Sequence, residues 1–230
     1  MKYAVILLCA GRGKRLRKRE DKAFVKISNI PLFYYSYSVF SGLKYFSQII
    51  IVARSYYFPL IKRYTKNSRV DMITGGPRRQ DSVRRGLTLV KRDIDYVFIH
   101  DGARPFVTRE LIERVKDNVI KFNAVIPGIR LKDAVKIAGR KVVSKTLNRK
   151  NLWCIQTPQA FKRNLLIDAY NKFNRNDAYD DAEIVMRLGR KIKIIEGDYF
   201  NIKITYPQDL LLAEAILKIK DRLRGAGDSS

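Results

Sequence analysis

Three short stretches of this 230-residue chain gather residue types suited to handling phosphate. Residues 8–22 read LCAGRGKRLRKREDK and hold seven lysines and arginines between Arg12 and Lys22. Ala10, Gly11 and Gly13 carry little or no side chain, so backbone N–H groups can close on an anion. Arg15 and Lys22 add mobile cations. Residues 100–106, HDGARPF, follow an apolar run and set Asp101, Gly102 and Arg104 where a strand should end. A carboxylate there suits Mg²⁺, which favours one or two carboxylates together with phosphate oxygens. Residues 75–87, GGPRRQDSVRRGL, make a glycine turn into a helix. A nucleobase can lie against Gly75-Gly76 while Ser82 offers its hydroxyl. His100, the one histidine, is expected to pack at the strand end rather than to move protons.

Two familiar nucleotide loops do not fit. The dinucleotide fingerprint needs a third glycine where this chain has Leu16, and an acidic residue roughly 20 positions on. Residues 33–35 are Phe-Tyr-Tyr, which argues against a nicotinamide-dependent oxidoreductase. The P-loop needs four residues between its first glycine and Gly-Lys-Ser/Thr, and Gly13-Lys14-Arg15 breaks that spacing.

The elements that must position these residues alternate along the chain. Apolar strand-like runs fall at 3–8, 48–53, 70–73, 96–99, 124–127 and 192–195. Helical spacing marks 32–40, 80–90 and 109–122, the last with Leu111, Ile112, Val115 and Val119 on one face. Such alternation argues for an α/β fold with a mostly parallel sheet covered on both faces. In open sheets of this kind ligands bind at the carboxyl ends of the strands, where the glycine loop and Asp101 would both lie. Thr108 is a suitable N-cap for the third helix. Residues 207–223 begin with Pro207, carry Asp209 in the first turn and stop before Gly225. Their Leu210, Ala213, Leu217 stripe is expected to cover the sheet. Within 131–155, two β-rich runs surround Ala138-Gly139-Arg140 and read as a hairpin. Two strands alone are marginal in water, so this arm is expected to pack on a second subunit. One domain over 1–224 with a flexible tail at 225–230 follows.

Forty-seven Lys/Arg against 22 Asp/Glu give a net charge of +25. Clustered cations could grip nucleic acid through counterion release or could serve a site for small polyanions. The positives are spread along the whole chain, and no cationic helix or exposed aromatic platform stands out. Two distant cysteines, Cys9 and Cys154, lack metal-ligand spacing and fit a reduced, cytoplasmic protein. No apolar run approaches the ~20 residues that span a bilayer.

Six stretches, AGRGKRL, Lys22, GGPRRQDSV, HDGARPF, LNRKNLWCIQTPQAF and NIKITYPQDL, resemble in order and spacing the 2-C-methyl-D-erythritol 4-phosphate cytidylyltransferase family. The resemblance runs from about residue 3 to 220. It implies a Rossmann-like nucleotidyltransferase fold, a β-arm that helps make a homodimer, and Mg²⁺-dependent transfer of a cytidylyl group from CTP in non-mevalonate isoprenoid synthesis. It further implies that Arg15 and Lys22 stabilise the transition state and that Arg149 and Lys203 position the substrate phosphate. Asp101 would hold the metal. Ala10, Gly11, Gly13, Gly76, Arg79, Ser82 and Gly102 would contact CTP, and Arg104, Asp133 and Thr157 would fall in or beside the acceptor pocket. Ala134 and Tyr179 stand where many relatives have threonine, and Leu8-Cys9 replaces a common Pro-Ala. These departures touch the acceptor side, so a cytidylyltransferase for ribitol 5-phosphate or a similar polyol phosphate is the alternative. Arg17, Lys18 and Arg19 are expected to form a solvated rim that draws anions in.

Overall fold

The computed structural model describes residues 1–18, 20–65, 69–173 and 177–227. Its strands are β1 (Tyr3–Leu8), β2 (Lys26–Ile27), β3 (Ile30–Pro31), β4 (Phe46–Ala53), β5 (Val70–Thr74), β6 (Tyr96–Asp101), β7 (Ala124–Arg130), β8 (Val135–Gly139), β9 (Val142–Leu147), β10 (Trp153–Ile155), β11 (Gln159–Lys162) and β12 (Lys193–Glu196). The helices are α1 (Leu32–Gly42), α2 (Phe58–Tyr64), α3 (Arg79–Thr88), α4 (Arg109–Phe122), α5 (Arg163–Lys172), α6 (Asp181–Met186) and α7 (Pro207–Gly227).

Eight strands form one sheet in the order β10-β7-β11-β6-β1-β4-β5, with β12 paired to β7. β1 is parallel to β4 and β6, and β4 to β5, whereas β11 runs antiparallel between β6 and β7. The centre is buried on both faces, which is why β1 and β4 read as unbroken apolar runs. On one face α1, α2 and α4 cover Val5, Leu7, Ile49, Ile51 and Phe98. On the other, α3, α5 and α6 cover Ile6, Ile50, Val52, Val97 and Ile99. Leu111, Ile112, Val115 and Val119 of α4 are all fully buried, each stabilised by about 1.5–3 kcal/mol relative to exposure. Thr108 caps that helix, its hydroxyl accepting from the Leu111 amide at 3.2 Å.

Several expectations are corrected. α7 does not cover the sheet. Its Ala213 and Ile216 join a separate apolar cluster with Leu16, Val25, Ile27, Leu32, Phe106 and Ile204. The helix therefore packs beneath the segment that carries Arg15 and Lys22. It also continues through Gly225 to Gly227, where a flexible tail was expected, and residues 228–230 lie outside the described residues, as does Arg19. β8 and β9 make a separate two-stranded sheet, but residues 153–155 belong to β10 and pair antiparallel with β7 in the main sheet. The hairpin turn is Arg140-Lys141, and Ala138 and Gly139, expected in the turn, belong to β8. Both have positive φ, 48° and 66°, the backbone of a two-residue primed turn that matches strand twist.

Candidate active site

The carboxyl ends of β1, β4, β5 and β6 open into one crevice of about 810 Å³. Its floor is the loop after β1. The Lys22 amide donates to the Gly11 carbonyl at 3.1 Å and the Leu16 amide to that of Gly13 at 2.7 Å, so the loop folds back on itself. Gly13 has φ +62°, and a Cβ there would lie 2.8 Å from the Lys22 Cβ. Only glycine meets both demands. Leu16, where the dinucleotide fingerprint wants glycine, is buried and pins the loop to the α7 cluster. Exposed Arg15 and Arg17 flank it. Arg15 lies over the Tyr206 ring, 5.4 Å from its centroid, and reaches the Tyr206 hydroxyl at 3.3 Å.

Lys22 is half-buried, donating from Nζ to Thr205 Oγ1 at 3.1 Å. Burial, with Lys203 and Arg15 nearby, lowers its pKa to about 8 against the pull of Asp101 and Asp209. Its charge is thus under-compensated, and an arriving anion would be welcome there. Asp101, at the end of β6, sits opposite. Its Oδ2 accepts from Lys203 Nζ at 2.5 Å and its Oδ1 from Arg79 Nε at 3.4 Å. Burial pushes the carboxyl up, but Lys203, Arg79 and Arg104 outweigh it and hold Asp101 well below the usual carboxylate range. Arg79 in turn bonds the buried Asp181 from Nη2 at 2.7 Å.

Ala10, Gly11, Gly13, Arg15, Lys22, Gly76, Arg79, Ser82, Asp101 and Lys203 all line the crevice. Ser82 accepts from the Gly76 amide at 3.1 Å, and a Cβ on Gly76 would strike Asp81 at 2.4 Å. Gly102 lies behind the wall, where a Cβ would meet Cys9 Sγ at 2.5 Å. Thr157 and Arg104 also sit behind Asp101. The Thr157 hydroxyl accepts from the Asp101 amide and shares a hydrogen bond with His100 Nδ1, both at 3.1 Å. Arg104 donates to the carbonyls of Asn201 at 2.8 Å and Ile155 at 3.3 Å. His100 is fully buried, and burial lowers its pKa to about 4. Asp133 and Arg149 are exposed at the base of the arm, away from the crevice lining.

Sequence reasoning missed Arg12, Arg54, Asp21, Thr205 and Asp181. Arg12 and Arg54 line the same crevice, and buried Asp21 holds Arg54 Nε at 3.2 Å. Those pairings join residues far apart in the chain, and no local pattern announces them. Arg12 alone was signalled, by its place between the two loop glycines. Among the described residues Asp101 is the one carboxylate in the lining, and no cluster of three His, Cys, Asp or Glu that could hold a metal occurs among them. Such a donor set suits Mg²⁺ only when phosphate oxygens complete its shell.

An open α/β sheet with a glycine loop, a ring of cations and one carboxylate at its strand ends is the architecture of a nucleotidyltransferase-like enzyme. Residues 3–219 match the family described as 2-C-methyl-D-erythritol 4-phosphate cytidylyltransferase. The protein of that name from Geobacillus thermodenitrificans is 40% identical over 223 residues, 94% of this chain and 97% of its own. A crystal structure of 4-diphosphocytidyl-2C-methyl-D-erythritol synthase from Anaerococcus prevotii superposes with a TM-score of 0.85 at 28% identity, covering 94% of this chain and 96% of that one. The 2-C-methyl-D-erythritol 4-phosphate cytidylyltransferase of Thermus thermophilus gives 0.81 at 29%, covering 95% and 100%. The chain belongs to the 2-C-methyl-D-erythritol 4-phosphate cytidylyltransferase family.

Proposed function

We propose that the crevice transfers a cytidylyl group from CTP to 2-C-methyl-D-erythritol 4-phosphate, a step of non-mevalonate isoprenoid synthesis. The observation that carries this reading is the convergence of Arg15, Lys22, Arg79 and Lys203 around Asp101 and the glycine loop, in a chain of this family. An oxygen of the acceptor phosphate attacks the α-phosphorus of CTP, a P–O–P linkage to the acceptor forms, and the bond to the β-phosphate breaks to release pyrophosphate. Two polyanions must meet in line, so positioning and charge neutralisation can carry most of the catalysis without a covalent nucleophile.

Gly11, Gly13 and their neighbours receive the triphosphate with backbone N–H groups, and Arg15 and Lys22 neutralise charge that grows on it. The Gly76–Ser82 turn takes the base. Asp101 would hold Mg²⁺, whose chemistry when bound is to neutralise and orient the triphosphate. Lys203 then gives its cation to the acceptor phosphate. Gly102 and Thr157 act on this reading by fixing Asp101, with Arg104 behind them. Arg149 and Asp133 lie outside their own chain's crevice, so a role for Arg149 on the substrate phosphate requires the arm of a second copy. The homodimer through the 131–155 arm is therefore part of the same proposal, as is a cytoplasmic location. Among the described residues no helix is long and apolar enough to cross a membrane.

The test is pyrophosphate release from CTP and Mg²⁺ with a panel of polyol phosphates. Turnover with 2-C-methyl-D-erythritol 4-phosphate is expected. Turnover with ribitol 5-phosphate alone would overturn the acceptor. Excising the arm between Asp133 and Thr146 is expected to give a monomer by light scattering, and a product that stays dimeric would remove that interface.

A further inference from the structure

Asp181 is a buried acid that the proposed chemistry leaves without a task. It is the first residue of α6, yet it does not cap that helix. Asp180 does so, its Oδ1 accepting from the Glu183 amide at 2.9 Å, and Gln159 clasps the same turn through Asp180 Oδ2 at 2.9 Å and the Ala182 amide at 3.2 Å. The Asp181 side chain is 0% exposed. Its Oδ1 accepts from the Tyr170 hydroxyl at 2.6 Å and its Oδ2 from Arg79 Nη2 at 2.7 Å. Arg79 opens α3, lines the crevice and reaches Asp101 only at 3.4 Å through Nε. Its third nitrogen, Nη1, is buried without a hydrogen-bond partner among the described residues. A buried donor left unpaired costs about 1–3 kcal/mol, a cost that a ligand oxygen would remove.

We propose that Asp181 is a positioning residue for Arg79, holding the guanidinium against the crevice so that Nη1 is kept for an anionic oxygen of the bound nucleotide. The inference rests on the reading that the crevice takes CTP. Asp101 already has Lys203 at 2.5 Å, so Arg79's close carboxylate is Asp181. When a triphosphate and its counter-ion claim Asp101, Asp181 stops Arg79 from following. Tyr170 completes the device. Burial and then the adjacent carboxylate push its hydroxyl well above the ordinary range, so it stays a proton donor to Asp181. Asp181 and Asp101 outweigh burial at Arg79 and keep it charged. A buried ion pair is by itself weak evidence for stability, and an orphaned nitrogen on a residue that lines the crevice is what assigns this one a role in binding.

The experiment is a double-mutant cycle on the full chain, with CTP affinity read by calorimetry and kcat/KM for CTP by pyrophosphate release. Asp181→Asn and Arg79→Gln are each expected to weaken CTP binding roughly tenfold or more, with the acceptor's KM unchanged. The double variant should be no worse than Arg79→Gln alone. Losses that multiply in the double variant, or Asp181→Asn lowering only the melting temperature, would overturn the proposal. If Asp181→Asn does not fold, Tyr170→Phe keeps the carboxylate and core volume. Its smaller loss should likewise vanish in the Arg79→Gln background, and a loss that persists there counts against Asp181. Calorimetry needs no turnover, so an inactive wild-type chain that binds CTP with this coupling would fault the acceptor reading and leave the role of Asp181 standing.

Discussion

The crevice and the β8–β9 arm are both rich in lysine and arginine, yet they treat the charges in opposite ways. In the crevice, Lys203 is held by Asp101, Arg79 by Asp101 and Asp181, and Arg54 by Asp21. On the arm, Lys136, Arg140, Lys141 and Lys145 are exposed and make no ion pair among the described residues. For Arg79 and Arg54 the reason is desolvation, whereas exposed Lys203 is drawn in by the buried Asp101 carboxylate. A cation removed from water needs a carboxylate or a ligand beside it, whereas an exposed cation needs nothing and gains little from a partner. The net charge of +25 therefore has two physical meanings. A few cations are fixed and partly uncompensated at the strand ends, while many others are solvated and act only through the long-range field that attracts anions.

The sharpest way to break this comparison is to remove a fixed cation. Lys22→Met should lower the rate by about 10²–10³, by analogy with loss of a preorganised donor to a transition-state anion, with the circular dichroism spectrum unchanged. Near-normal pyrophosphate release would take Lys22 out of the catalytic set. Asp101→Asn comes next, expected to cost roughly 10² in rate by the same analogy and to shift the Mg²⁺ titration to higher concentration. An unchanged titration would mean that Asp101 serves only to hold Lys203 and Arg79.

A smaller effect separates the two regions by pH. Because burial brings Lys22 to about 8 in the free enzyme, its cation is present below that value and lost as pH rises through it. Apparent kcat/KM for CTP should thus fall above about pH 8, and Lys22→Arg should abolish or raise that limb. His100, held neutral with a pKa near 4, should add no inflection between pH 6 and 7. Replacing the arm lysines by Gln should leave the profile as it is, since none of them lines the crevice. A fall that persists unchanged in Lys22→Arg would assign the limb to another group.

Much of this was legible from the chain. Strands buried on both faces announce themselves as apolar runs, so β1, β4 and β6, and with them the loop at 10–13 and Asp101, could be placed in advance. β11 could not, because antiparallel insertion between β6 and β7 leaves a mixed sequence, Gln159 to Lys162, with no alternation to read, and β10, three residues on the far side of β7, is too short to show a pattern. α6 spans six residues, too few to show a helical period, which hid Asp181. Its partner Arg79 is 102 positions away. α7 displays its apolar stripe plainly, but a stripe states only that something is covered. What it covers, the Leu16 and Val25–Leu32 segment beneath Lys22, is a tertiary fact.

The smallest expected effect lies on the arm. Arg140 and Lys141 adopt left-handed backbone, which costs L-residues with a Cβ roughly 1–2 kcal/mol each, and no glycine relieves the turn. Replacing them by Asn and Gly, the pair such turns favour, should stabilise the hairpin by about 1 kcal/mol. Amide exchange in β8 and β9 measures it. The arm also leaves Val142 71% and Val143 58% exposed, so in a lone chain its two strands have little to fold against. If a second copy covers them, the gain in protection should appear only on dilution to monomer, since in the dimer the opened arm is already suppressed. Equal gain at all concentrations would mean that the arm stands alone in solution, and the distinction between a fixed crevice and a solvated arm would then extend to folding as well as to charge.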